Sequence, residues 1–195
     1  PDGRNWVAPI YGMITQFDGA FGRLLEAVEN MGRRENTIVI FMSDNGPNST
    51  YFTAGLRAKK GSVYENGIRS PFVIQWPKTL NGGHKFDTPA MHIDLLPTLA
   101  DACGIGLPAD LKVDGKSILG LLLGETQEFQ QRYLFMQHNR ANVPPKYENC
   151  MARRGPWKVV GNRGGPTGFE LYNIEQDPGE TQDLADKHPD MVKAF

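Results

Sequence analysis

Between residues 10 and 31 the apolar side chains recur at spacings of three and four: Ile10, Ile14, Phe17, Phe21, Leu24/Leu25, Val28 and Met31. That period puts them on one stripe of an α-helix and predicts an amphipathic helix packed by that stripe against a core. Gly32 follows as a C-terminal cap, with Arg33 and Arg34 favourable near the negative helix end. The pattern then changes. Thr37–Met42 is an unbroken β-branched and aromatic run without alternation, the habit of a strand covered on both faces in a parallel sheet. It stops abruptly at Ser43-Asp44-Asn45-Gly46-Pro47-Asn48. In open α/β sheets the carboxyl end of a strand is where ligands bind, so this polar loop is the first place to look for chemistry.

From Asn48 to Gly67 the chain reads as a polar loop, and Pro71–Trp76 as a second short strand ended by Pro77. A Gly-rich loop over 80–88 leads to Asp94, which predicts a capped helix through Leu95, Leu96, Leu99 and Ala102 to Gly104, with Pro97 tolerated in its first turn. A short helix is expected over Ser117–Leu123, between Gly115 and Gly124. Beyond about residue 130 the strand candidates are Tyr133–Met136, Met151–Val160 and Phe169–Ile174, separated by Pro/Gly/Asn loops, and the polar remainder reads as helical. Strands joined by short turns predict an antiparallel sheet. The fold class is therefore α/β, with one domain over 1–128 and a small α+β subdomain over 129–195 that is incomplete at its end.

Composition narrows the function classes. The 195 residues carry 21 Lys+Arg against 22 Asp+Glu, so neither nucleic acid nor an anionic membrane is favoured as a partner. No apolar run approaches the roughly 18–20 residues of a membrane span. Glycines number 22 and prolines 14, above the roughly 14 and 10 of average usage, so loops are plentiful. Cys103 and Cys150 set no disulfide framework and are expected as buried free thiols. The chain opens at Pro1-Asp2-Gly3 without a Met, an odd start that reads as a piece of something longer.

Two stretches carry candidate chemistry. Asp44 offers a carboxylate and Asn45 a carbonyl oxygen, hard donors suited to Ca²⁺ or Mg²⁺, while Gly46 lets the backbone turn sharply. Asp-Asn-Gly is also a common turn, and two donors cannot satisfy an ion that wants six to eight. The second stretch is Arg57-Ala58-Lys59-Lys60-Gly61 through Gly67-Ile68-Arg69, where cations and glycines alternate before a strand. Such a loop neutralises an oxyanion and allows it close approach; it is equally a solvated charged loop. Of the histidines, His92 has a structural reading, whereas His138 sits in the donor-rich Gln137-His138-Asn139-Arg140 at a strand end.

Taken together and in this order, these segments resemble the sulfatase family of the alkaline-phosphatase-like superfamily. The family pattern runs from a helix with Asp and Gly, here Asp18 and Gly22, to a strand ending Ser-Asp-Asn-Gly. It continues with Lys-Gly-x-x-x-Glu-Gly-Gly-Ile-Arg-x-Pro, matched by Lys60 through Pro71 with Asn66 standing where the family has Gly. That departure is expected to bear on loop conformation, since Asn tolerates positive φ. Asp94-Leu95-Leu96-Pro97-Thr98, Asp114-Gly115-Lys116-Ser117, Met151–Val159, Glu170-Leu171-Tyr172-Asn173 and Asp177-Pro178-Gly179-Glu180 resemble its later segments, so the match covers nearly the whole chain.

The resemblance implies sulfate-ester hydrolysis at a Ca²⁺ site, with Mg²⁺ as the alternative ion, on the C-terminal part of an alkaline-phosphatase-like α/β/α sandwich followed by a small antiparallel sheet with a helix. Asp44 and Asn45 match two metal ligands, and Lys60 matches the catalytic lysine that contacts the sulfate group. In the family a Cys or Ser converted to formylglycine supplies the nucleophile, within Cys/Ser-x-Pro-x-Arg. That segment and the paired-Asp strand are not in this sequence, so both are expected in a missing N-terminal half before Pro1, without which the chain should not catalyse. His138 and Arg140 are candidate substrate-binding residues, the substrate a sulfated small molecule or carbohydrate, and the location exported: periplasmic, lysosomal or extracellular. The alternatives are a phosphate or phosphonate ester hydrolase of the same superfamily, or a noncatalytic binding protein on this scaffold.

Overall fold

The computed structural model describes residues 7–125, 132–161 and 168–195. In chain order it contains α1 (Val7–Asn30), β1 (Val39–Met42), α2 (Glu65–Ile68), β2 (Phe72–Gln75), α3 (Leu95–Ala102) and α4 (Leu119–Leu122). Then follow β3 (Leu134–Gln137), β4 (Cys150–Arg154), β5 (Trp157–Gly161), β6 (Phe169–Asn173) and α5 (Pro189–Ala194). Short 3₁₀ turns occupy Arg34–Asn36 and His92–Asp94. β1 and β2 form a two-stranded sheet, and β3-β4-β5-β6 a four-stranded one in sequence order.

The chain forms two compact units. One holds residues 7–40 with Val73–Lys85, the other Phe41–Phe72 with residues from 86 onward. In the first, α1 ends as its sequence requires: Gly32 takes φ 63, and the Gly32 and Arg33 N–H groups reach back to Glu29 O and Val28 O. This closes the last carbonyls that a helix end leaves open. The apolar stripe of α1 differs from expectation, because no residue of the helix is buried. Ile14 is 56 % exposed, Phe17 55 % and Leu24 58 %. The period is helical as read, but no described residue buries the stripe. After α1, the Lys78 N–H donates to Glu35 O and Arg34 donates to Gln75 Oε1 at 2.7 Å, fixing the return of β2.

The second unit is built on the antiparallel sheet. Leu134 pairs with Arg153, Met151 with Val160, and Val159 with Leu171. Met151–Val160, expected as one strand, is a hairpin: Gly155 at φ 56 turns the chain, and Arg154 pairs with Trp157 across it. A core of Val63, Tyr64, Met151, Val160, Tyr172 and Ile174 lies against this sheet. Val63 and Tyr64 come from the segment expected to be a solvated loop. Instead Val63–Gly67 is buried, and Glu65–Ile68 makes one helical turn. β1 is also less covered than its apolar run predicts: three of its residues are half-buried and Phe41 is exposed.

Asp94 precedes α3 as expected but does not cap it with its side chain. The buried carboxylate points back, accepting the N–H groups of Met91 (2.8 Å) and Lys116 (2.9 Å) and pairing with Arg132. Thr98 Oγ1 donates to Asp94 O and accepts the Ile118 N–H, so the Asp94–Thr98 and Asp114–Ile118 segments are stitched together. Gly115 is required there, since a Cβ would lie 1.9 Å from Ile93 O. Among the described residues no helix is long and apolar enough to cross a membrane.

Candidate active site

The site grows from the carboxyl end of β1. Ser43 N–H donates to Pro71 O, and Ser43 Oγ donates to Asn45 O at 3.0 Å, which curls the chain over Asp44. His92 Nε2 lies 3.1 Å from Ser43 O. A carbonyl only accepts, so this contact selects the Nε2–H form of the ring and gives His92 the structural role expected of it. Gly46 N–H donates to Gly67 O at 2.9 Å. A Cβ on Gly46 would fall 1.8 Å from Asn66 O, a backbone atom that cannot step aside, so only glycine fits. We expect Gly46→Ala to force the two loops apart and lower stability by about 1–3 kcal/mol, the usual cost of overpacking. Thermal unfolding checks this; an unchanged midpoint would mean the loops are not locked as described.

Lys60 joins the same loop through its backbone, its N–H donating to Pro47 O at 2.9 Å. Asp44 and Lys60 are exposed and Asn45 half-buried, so all three can meet a ligand. On the far side of Lys60, Gly61 holds φ 86. The ring of exposed His138 rests against Gly61, with Nε2 3.6 Å from where a glycine Cβ would be. The structure thus gathers the Asp44-Asn45-Gly46 loop, Lys60 and His138 within one unit. Arg140 is exposed two residues further, and no contact joins it to these loops among the described residues.

Asn66 is buried and not left-handed; it lies in the α2 turn. Its Nδ2 donates to Ala58 O at 2.6 Å, and the left-handed residue is Ala58, at φ 69. The substituted side chain thus braces a strained position eight residues upstream, which is not the tolerance of positive φ expected from the sequence.

Beneath the exposed residues lies a buried charged layer that sequence reading missed. Lys158 on β5 is fully buried, with Nζ 2.9 Å from Glu65 Oε1 and 2.8 Å from Glu180 Oε1. Glu180 Oε2 accepts the Glu65 N–H at 2.7 Å. Burial pushes the Glu180 carboxyl above the usual carboxylate range, and Lys158 and the Glu65 N–H pull it part of the way back. Beside this layer, Glu170 Oε2 accepts from both Tyr64 Oη (2.6 Å) and Tyr172 Oη (2.7 Å). Arg57 spans Tyr172 Oη, Glu180 O and the Tyr64 ring face, so this cation of the basic stretch is tied to the sheet although part of its side chain still meets solvent. Lys59, Lys60 and Arg69 are the exposed ones. No local signal marks these partners, since Glu65 and Lys158 stand 93 residues apart.

Burial, reinforced by Glu170, raises the Tyr172 phenol above its ordinary value of 10.0. The folded state therefore keeps that proton after the unfolded chain has lost it. The resulting stability is present below about pH 10 and is lost as pH rises beyond it. We expect the unfolding midpoint to fall above about pH 10 more steeply in the parent than in Tyr172→Phe. Equal slopes in calorimetry would contradict this.

Cys103 and Cys150 are free thiols as expected but not both buried: Cys103, just past the end of α3, is exposed, and Cys150 is half-buried, which raises its thiol. Among the described residues no group of three or more His, Cys, Asp or Glu side chains converges as a complete metal cage.

Two family models match the chain: Sulfatase over residues 5–105, and N-sulphoglucosamine sulphohydrolase, C-terminal, over residues 57–193. A sulfatase of Formosa agariphila is 31 % identical over 96 % of this chain and 37 % of its own length. Human arylsulfatase A is 30 % identical over 98 % of this chain and 43 % of its own. The solved structure of Ps i-CgsB in complex with k-i-k-neocarrahexaose superposes with TM-score 0.82 at 28 % identity, over 94 % of this chain and 40 % of that one. The chain spans about two fifths of the length of the relatives it matches.

Proposed function

The chain belongs to the sulfatase family, and from that premise we propose that it supplies the C-terminal share of a catalytic centre that hydrolyses sulfate esters. The observation that carries this is the joining of Lys60 to the Asp44-Asn45-Gly46 loop through Pro47 O, with Gly46 sealed onto Gly67. These backbone bonds join the loop that carries a cationic side chain to the loop that carries two hard oxygen donors.

The donor set fits Ca²⁺, or Mg²⁺, in type and falls short in number: Asp44 and Asn45 would hold part of its shell, and the remaining ligands would come from a portion preceding Pro1. Bound there, the cation would withdraw charge from the sulfuryl oxygens. Lys60 binds a sulfate oxygen and neutralises the charge that gathers as the ester bond breaks. Its backbone bond to Pro47 O keeps the base of this side chain beside the Asp44-Asn45 loop before the substrate arrives, which shortens the search for the reactive geometry. His138, resting on Gly61, and Arg140 offer donors to the rest of a sulfated small molecule or carbohydrate. The nucleophile, a formylglycine made from Cys or Ser, belongs to the same preceding portion, and an exported location follows from the same reading.

The test is the coding sequence upstream of Pro1 together with mass spectrometry of the full-length protein. A Cys/Ser-x-Pro-x-Arg segment carrying formylglycine is expected. An unmodifiable residue at that place, or Thr, would overturn the assignment.

A further inference from the structure

Lys60 reaches the metal-side loop through its own N–H, but what fixes its other flank is one side chain from the opposite end of the unit. Asn149 stands immediately before β4 at φ 45, a left-handed conformation that Asn adopts more readily than most residues. Its carboxamide is engaged on both ends. Nδ2 donates to Gly61 O and to His138 O, each at 2.9 Å, and Oδ1 accepts the Val63 N–H at 3.2 Å. Its backbone carbonyl also accepts the His138 N–H at 3.0 Å. One side chain thus grips the Lys60-Gly61-Ser62-Val63 turn on either side of Ser62 and ties it to the residue whose ring lies on Gly61. Gly61 at φ 86 has no side chain of its own to hold it in place.

We propose that Asn149 is a positioning residue: it holds the turn carrying Lys60 against His138, so that the Lys60 ammonium and the His138 ring face one substrate in fixed relation. This rests on the reading that Lys60 binds the sulfuryl group. The chemistry of an amide suits the task, because it offers two donors to two carbonyls and one acceptor to an N–H at the same time. Aspartate at 149 would keep the acceptor, lose both donors and face the two carbonyls with a negative charge. Glycine would keep the left-handed backbone and remove the grip altogether.

The experiment uses the full-length protein with 4-nitrophenyl sulfate as the probe and compares Asn149→Gly, Asn149→Asp, Lys60→Ala and the Lys60→Ala/Asn149→Gly double variant. Misplacing a catalytic group by about 1 Å costs on the order of 100-fold, so each Asn149 variant should lose roughly 10–100-fold in kcat/KM. The double variant should fall by clearly less than the product of the two single losses, because with Lys60 gone only the placement of His138 is left for Asn149 to set. Losses that multiply would assign Asn149 a general structural role and overturn the proposal. Wild-type kinetics in both Asn149 variants would overturn it too, with the Lys60 reading intact. An active Lys60→Ala would instead remove the reading beneath it. Hydrogen exchange gives a readout free of turnover: the Val63 amide should exchange at least about tenfold faster in Asn149→Gly while the β5 amides stay protected. Unchanged protection at Val63 contradicts the grip directly.

Discussion

Lys60→Ala in the full-length protein is expected to lower kcat/KM for a sulfate ester by roughly 10²–10³-fold, the scale of removing one preorganised charge or donor from a developing anion. Stability should barely change, because the Lys60 side chain is exposed and only its backbone N–H bonds to Pro47 O. Lys60→Arg should recover only part of the loss: the charge returns, but the planar guanidinium places its donors differently from an ammonium. A Lys60→Ala enzyme with parental kcat/KM would remove Lys60 from the chemistry.

The largest stability effect is expected at Lys158. Its ammonium is buried between Glu65 and Glu180, so Lys158→Met leaves two buried carboxylates facing each other, with Arg153, 3.8 Å from Glu65 Oε2, offsetting part of their charge. Breaking a buried pair on one side costs about 3–5 kcal/mol. The deficit should shrink as pH falls. Glu180 already has its pKa raised by burial, and without Lys158 it would be raised further, so protonation relieves the repulsion. A carboxyl whose folded pKa is raised contributes stability at low pH that is lost as pH rises through the folded value. Adding Glu180→Gln to Lys158→Met should restore part of the stability near neutral pH, since it removes the second charge while keeping the shape. Denaturant unfolding at two pH values reads both effects; a pH-independent deficit would assign the loss to packing alone.

These contrasts show which parts of the molecule were legible in the chain. The antiparallel strands were, because turn residues and short apolar runs are local, although the Gly155-Pro156 turn inside Met151–Val160 was read through. The helix over α1 was legible by its period, but burial of its stripe depends on what covers it, and period carries no information about that. Asp44, Asn45 and Lys60 were reached from residue types at a strand end and from ordered motifs, and the structure draws their backbones together through Pro47 and Gly67.

What was not legible is the support beneath them. Arg57 looked like one more cation of a basic loop, yet it is held on the Tyr64 ring and by Tyr172. Lys158 sat among apolar strand residues with its partners 93 residues upstream and 22 downstream. Asn149 makes its contacts 86 and 88 residues away. A buried charge or bridging amide is defined by tertiary partners, so no spacing rule marks it. Asn66 shows the converse: a motif departure was visible, but its physical cause, the bond to Ala58 O, was not.

The most direct measurement is the rate at which the full-length protein, with Ca²⁺ present, releases sulfate from 4-nitrophenyl sulfate and from sulfated sugars, set beside phosphate release from 4-nitrophenyl phosphate, for parent and Asp44→Ala. Turnover of the sulfate esters by the parent, with loss of most of it in Asp44→Ala, is the predicted result. Turnover of the phosphate ester alone, or sulfate release that Asp44→Ala leaves intact, would contradict it.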